Sequence, residues 1–257
     1  MKAVWFVLRG IAPSPKGVVQ ADVGGYLIDV IPSRGYWWKS MYYGYCGVEI
    51  EYNIKKLLHP GGVFVDVGAG VGYFSAIASK IVGNSGHVHC FEPFPGQADS
   101  IRKMIKSKHS SNIVLNDCAL GAEEGMHKFY LNRDNRGWSS SMIKTFIDKV
   151  DEVYEVRTLR LDTYLKEREI DKVSLIKIDV EGYEYNVLKG LENFLTKTKN
   201  KPPIICEIAV PPHGYSISEL NDYMIKYGYQ AHNICNNRKK IDIRKLSEMT
   251  DVVFLPA

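Results

Sequence analysis

Val63-Phe64-Val65-Asp66-Val67-Gly68-Ala69-Gly70-Val71-Gly72-Tyr73 is an apolar run that stops at an acid and three glycines spaced by two. Such a run predicts a buried parallel strand leaving its sheet. The glycines let the backbone turn tightly and approach a ligand where a Cβ would collide. One strand–helix–strand unit later comes Phe91-Glu92-Pro93, where an acid closing the second strand is placed to take both hydroxyls of a ribose. A nucleoside ligand is therefore expected. Dinucleotide sites use Gly-x-Gly-x-x-Gly, with a helix N-terminus aimed at the pyrophosphate. Here the third glycine, Gly72, arrives one residue early and Tyr73 takes its place. The plain alternative is a tight strand–helix turn with no ligand, and Glu92 weighs against it.

Outward from this stretch, strands are expected at residues 63–67, 87–92, 113–116, 173–179, 204–210, 229–233 and 251–255. Helices are expected at 73–82, after Pro93 to about 106, at 184–196 and at 218–227. The pattern is a Rossmann-like, doubly wound α/β fold with a mostly parallel seven-stranded sheet and a terminal antiparallel hairpin. Right-handed crossovers place its ligand loops at the carboxyl edge. Residues 126–131 and 153–160 read as extended and pair across a polar excursion holding Trp138-Ser139-Ser140-Ser141. Upstream, residues 18–20 and 26–30 flank Gly24-Gly25 as a hairpin. A dense aromatic stretch comes next (Tyr36, Trp37, Trp38, Tyr42, Tyr43, Tyr45, with Met41), and residues 49–58 read as a helix stopped by Pro60-Gly61-Gly62.

At 257 residues the chain is long enough for one full α/β core. A net charge of +4 with no long Lys/Arg run argues against a nucleic-acid platform, and Arg238-Lys239-Lys240, the densest basic cluster, reads as a solvated loop. Five cysteines, odd in number and without a Cys-x-x-Cys pair, predict free thiols; Cys90, Cys118 and Cys206 lie in apolar, strand-like contexts. The apolar stretch from Ala3 to Leu8 is too short for a signal-peptide core, and no segment is expected to span a bilayer. A cytoplasmic location is expected.

The run Asp66-x-Gly68-x-Gly70-x-Gly72 resembles motif I of class I S-adenosylmethionine-dependent methyltransferases. Leu175-Ile-Lys-Ile-Asp179-Val-Glu181-Gly182-Tyr-Glu184, then Val187-Leu188-Lys-Gly190, resembles the Lys-Ile-Asp-Val-Glu-Gly signature of the FkbM family. The glycine run with Phe91-Glu92-Pro93 is similar to that family's first two motifs. Leu161-Asp162 is similar to its short element before the signature, and Glu207 to the acid of its next strand. One departure is Gly70, where many members carry asparagine. The resemblance covers residues 48–257, which it implies form a class I methyltransferase domain. Residues 1–47 match nothing named and are expected to be an extension packed on the core, its aromatic stretch either a hydrophobic seam or one wall of the acceptor pocket.

The resemblance implies methyl transfer from S-adenosylmethionine to an oxygen, typically a hydroxyl of a sugar or secondary metabolite. The acceptor is expected to be a small molecule or glycan, and no nucleic acid or membrane span is expected. N- or carboxyl-methylation and a catalytically silent cofactor-binding subunit remain alternatives, as does a nucleotide-dependent oxidoreductase, which the early third glycine disfavours. The implied cofactor residues are Asp66, Gly68, Ala69, Gly70, Gly72, Tyr73, Phe74, Glu92, Pro93, Asp117, Cys118, Ala119, Asp179 and Glu181. Asp66 is expected to fix the glycine loop through backbone amides. Asp117 is either an adenine contact or a plain turn residue. Asp179 and Glu181, two apart on an extended segment, would share a face into the site. Asp179 is the leading base for a weakly acidic hydroxyl, with His213 second. No metal is favoured; a divalent cation, if present, would sit on Asp179 and Glu207.

Overall fold

The computed structural model describes residues 13–257 apart from 135, 136, 148 and 213, and side chains apart from those of 133–139 and 238. Strands β1 (Val19–Val23) and β2 (Tyr26–Val30) pair antiparallel around Gly24-Gly25. Both glycines hold positive φ, 63° and 88°, as a twisted two-residue hairpin requires. Helices α1 (Tyr36–Tyr42) and α2 (Val48–Leu57) lead into the core. There β3 (Val63–Val67), α3 (Tyr73–Val82), β4 (His87–Phe91), α4 (Pro95–Lys108) and β5 (Ile113–Asn116) succeed one another. A small sheet is built next from β6 (Ala119–Leu120), β7 (Gly125–Asp134), β8 (Gly137–Ser141) and β9 (Glu152–Leu159). The core resumes with α5 (Leu161–Glu167), β10 (Leu175–Ile178), α6 (Glu184–Lys189), α7 (Glu192–Lys197), β11 (Ile204–Ile208) and α8 (Ile217–Lys226). It closes with β12 (Tyr229–Asn233), β13 (Asn236–Lys240) and β14 (Thr250–Pro256).

The main sheet runs β13-β12-β14-β11-β10-β3-β4-β5. Its five strands from β11 to β5 are parallel, and β14 lies antiparallel between β11 and β12. This is the Rossmann-like α/β fold expected, with all seven strands present, but the sheet has eight. The extra strand β13 reads Asn-Asn-Arg-Lys-Lys, without the apolar pattern that marks a buried strand. It survives as a charged edge, where one side needs no partner. A second correction concerns residues 184–196, which form two helices. A Cβ on Gly190 would lie 2.1 Å from the Gly121 carbonyl oxygen, and the Gly190 carbonyl accepts from the Asp162 amide at 3.0 Å. Glycine interrupts the helix there, and the close approach of the Gly121 carbonyl is what requires it. Helix α5 was not expected at all; its Asp162 carboxylate takes the Arg160 guanidinium and the Asn193 amide of α7.

Strand alternation divides the core. Phe64 and Leu175 face one apolar cluster, which also takes the hairpin residues Tyr26, Ile28 and Val30; Val65, Val67, Ile176 and Ile178 face the other. The extended segments around 126–131 and 153–160 do pair, as β7 with β9, in the separate sheet ordered β6-β9-β7-β8. All five cysteines are free, four of them buried. Among the described residues no helix is long and apolar enough to cross a membrane.

Candidate active site

The loops after β3, β4, β10 and β11 open on a cavity of about 550 Å³ at the carboxyl edge of the sheet. Of the residues expected to bind the cofactor, the cavity brings together Gly68, Ala69, Gly70, Tyr73, Phe74, Glu92, Pro93, Cys118, Ala119, Asp179 and Glu181. It leaves out Asp66, Gly72 and Asp117.

The three glycines do different work. All have positive φ: 72° at Gly68, 58° at Gly70 and 89° at Gly72. A Cβ on Gly68 would sit 1.9 Å from the Asp179 carbonyl oxygen, and one on Gly72 would meet Met104 of α4 at 3.1 Å. These two are glycine so that the loop can pack on its neighbours. A Cβ on Gly70 would meet nothing within 4 Å. Gly70, on the cavity wall, is the one of the three whose missing Cβ leaves open space rather than room for a packed neighbour.

Glu92 is 3% exposed and borders the cavity. Its Oε2 accepts the Gly70 amide at 2.8 Å and its Oε1 accepts the Phe94 amide at 2.9 Å, so it ties the glycine loop to the start of α4. Burial pushes its carboxyl up to about 7 against the pull of those two amides. An ionised carboxylate has about four acceptor sites, and two amides leave others for a ligand.

Asp66 is fully buried and takes no backbone amide among the described residues. It accepts the Ser75 hydroxyl at 2.7 Å and faces Lys177 at 3.5 Å, which corrects the expected loop-fixing role. The register explains the pairing. Asp66 stands opposite Lys177 across β3 and β10, so the two side chains share one face. Lys177, overlooked as a site residue, is 2% exposed and also reaches Asp179 at 3.2 Å and the Gly68 carbonyl at 2.9 Å. Burial would lower its pKa, but Asp179 and Asp66 outweigh that and hold it above the ordinary lysine range. The signal was present: a lysine inside Leu-Ile-Lys-Ile must either leave the core or find buried partners.

Beyond Ile178 the chain does not stay extended. Glu181 has φ of 55° and Gly182 of 95°, so Asp179 and Glu181 both reach the cavity through a turn rather than by strand alternation. Left-handed backbone at a non-glycine residue is strained and is held here by its surroundings. The Glu184 carboxylate accepts the Val180 and Gly182 amides at 3.2 and 2.9 Å, and the Ser141 hydroxyl donates to the Glu181 carbonyl at 2.7 Å. Glu207 joins the cavity from β11, and its Oε2 is buried without a hydrogen-bond partner among the described residues. Burial first, then neighbouring Asp179, push Glu181 up to about 8 and Glu207 to about 10. Both therefore keep their protons to higher pH than an ordinary carboxyl does.

Asp117 is half-exposed and paired with Arg102, away from the cavity. His213 lies outside the described residues, as do the side chains of Trp138 and Ser139; Ser140 lines the cavity. Among the described residues no group of three or more His, Cys, Asp or Glu is arranged to hold a metal ion. Trp38 and Met41 join the core cluster, and with Trp37 they line the cavity.

Residues 66–231 match the family described as the Methyltransferase FkbM domain. The chain is 27% identical over 167 residues to the 31-O-demethyl-FK506 methyltransferase FkbM of Streptomyces tacrolimicus, covering 53% of this chain and 62% of that protein. It is 26% identical over 145 residues to Methyltransferase 1 of Beauveria bassiana, covering 50% and 58%. The chain thus spans about six-tenths of the length of these curated relatives. The crystal structure of a methyltransferase FkbM from Methylobacillus flagellatus KT aligns at a TM-score of 0.49 and 16% identity, covering 86% of this chain and 55% of that one. A family match running from Asp66 to Ala231, more than half of its length, makes this chain a member of the FkbM methyltransferase family, whose cofactor is S-adenosylmethionine.

Proposed function

We propose that the protein transfers a methyl group from S-adenosylmethionine to a hydroxyl of a small-molecule acceptor, a sugar or secondary metabolite. The observation that supports this best is one cavity bordered by the open face of Gly70, the carboxylate of Glu92 and the carboxylate of Asp179. The residues fit the cofactor: Glu92 has acceptor sites to spare for ribose hydroxyls, Gly70 leaves room beside it, and Tyr73 and Phe74 add aromatic surface. When bound, S-adenosylmethionine supplies an electrophilic methyl group. The protein's own work is alignment, exclusion of water and collection of the acceptor's proton. Asp179 is the residue for that proton. It lines the cavity, and Lys177 at 3.2 Å orients its Oδ2.

Glu92→Gln is expected to weaken S-adenosylmethionine binding about ten- to hundred-fold, because charge-assisted hydrogen bonds to the ribose contribute roughly 1.5–3 kcal/mol. In the wild type the carboxyl titrates at about 7, so affinity should climb as pH rises through that value and the ionised acceptor forms. The variant's affinity should be flat over that range. Calorimetry at pH values below, at and above neutrality checks both, and a loss under about twofold would move the ribose site elsewhere.

Asp179→Asn is expected to slow methyl transfer about a hundred-fold or more while changing cofactor affinity little, as loss of a general base does. The assay follows tritium from S-adenosylmethionine into an acceptor found by screening hydroxylated small molecules. Activity lost in EDTA and restored by magnesium would assign Asp179 and Glu207 to a cation. Normal turnover by the variant would dismiss both roles and make His213 the next residue to test.

A further inference from the structure

The part of the cavity not bounded by the glycine loop and Glu92 has two apolar walls. One is helix α1, which lies before the family match and presents Trp37, Trp38 and Met41. The other is the small sheet and the segment joining its strands β8 and β9, which present Phe129, Met142 and Phe146. The second wall is fastened to the signature turn. Ser141 Oγ donates to the Glu181 carbonyl at 2.7 Å, and a Cβ on Gly182 would lie 2.6 Å from the Phe146 ring. Trp38 and Met41 are buried at 8% and 5%, whereas Trp37 remains 43% exposed on the same cavity. Trp37 thus combines a place on the cavity wall with surface that core packing leaves uncovered. Asp179, Glu181 and Glu207 line that cavity too.

Resting on the function proposed above, we infer that the acceptor carries its reactive hydroxyl on a flat apolar ring, and that Trp37 determines specificity by stacking on that ring. Aromatic side chains favour offset or edge-on contact with a second ring, and a hydroxyl on such a ring would have Asp179, Glu181 and Glu207 on the same cavity to meet it. A ringless polyol would reach the same carboxylates but leave Trp37 uncovered.

Saturation-transfer NMR with 1-naphthol as the probe and glycerol as a ringless control tests this, with S-adenosylhomocysteine at saturation. The wild type should transfer saturation to the naphthol ring protons and give none to glycerol. Trp37→Ala should weaken naphthol binding about tenfold or more. Trp37→Phe, which keeps a stacking face, should recover most of it. Affinity for S-adenosylhomocysteine should stay within about twofold in all three proteins, which also shows that the variants fold. Unchanged naphthol binding by Trp37→Ala would overturn the inference, as would absent naphthol transfer in a wild type that binds S-adenosylhomocysteine. A wild type that fails to bind S-adenosylhomocysteine would overturn the underlying cofactor reading instead.

Discussion

Gly68→Val is expected to remove S-adenosylmethionine binding and to cost the fold about 3–5 kcal/mol, from left-handed backbone and overpacking together. The reason is not the ligand. A Cβ at Gly68 would stand 1.9 Å from the Asp179 carbonyl oxygen, a backbone atom that cannot swing aside, and φ of 72° already disfavours a branched residue. The loops after β3 and β10 would have to separate, taking with them the Lys177 bond to the Gly68 carbonyl. For a chain of this size the loss corresponds to a melting temperature lower by roughly 10 °C. Gly70→Ala is the contrasting variant. Its Cβ meets nothing within 4 Å, so only its left-handed φ of 58° costs stability, about 1–2 kcal/mol or a few degrees of melting temperature, while the Cβ enters the cavity and should weaken cofactor binding. Melting curves and calorimetry on the two proteins separate packing from ligand space. Equal stability of Gly68→Val and Gly70→Ala would show that the loop does not pack as described.

The second large effect belongs to Lys177. Replacing it with methionine keeps much of the volume but strands Asp66, which is 0% exposed and whose Oδ1 faces the ammonium at 3.5 Å. Breaking a buried pair from one side typically costs about 3–5 kcal/mol. Burial raises the Asp66 pKa and Lys177 is the chief influence lowering it, so the variant's Asp66 should hold its proton to higher pH. A carboxyl with a raised folded pKa destabilises most where the unfolded chain has released its proton, and that cost fades as pH falls through the folded value. The deficit of Lys177→Met should therefore be larger at an alkaline than at an acidic pH value. Urea unfolding at both values measures it. A deficit under about 1 kcal/mol with no pH dependence would mean that the ammonium is not needed where it lies.

The fold was legible because its signals are local and periodic. Apolar runs ending in glycine or acid, at Val63–Val67 and Leu175–Ile178, can only be satisfied as strands buried on both faces. The glycines and acids at the ends of these runs mark the carboxyl edge as the site. The charged strand β13 was not legible, since an edge strand needs no apolar pattern, nor was the break at Gly190, which depends on a carbonyl much earlier in the chain at Gly121. The site divides in the same way. Glu92, Asp179 and Glu181 could be named from their positions after strands, because a strand's end places its next side chains at the sheet edge. The task of each glycine could not, because Gly68, Gly70 and Gly72 look alike until the atoms around each are known: a carbonyl beside one, a methionine beside another, open space beside the third. Nor could the partner of Lys177 be read, because alternation says only that a side chain faces the core. The register of β10 on β3 decides that the residue facing it is Asp66. Local sequence determines which residues arrive at the edge of the sheet; the cross-strand register and the packing of loops decide which of them meet.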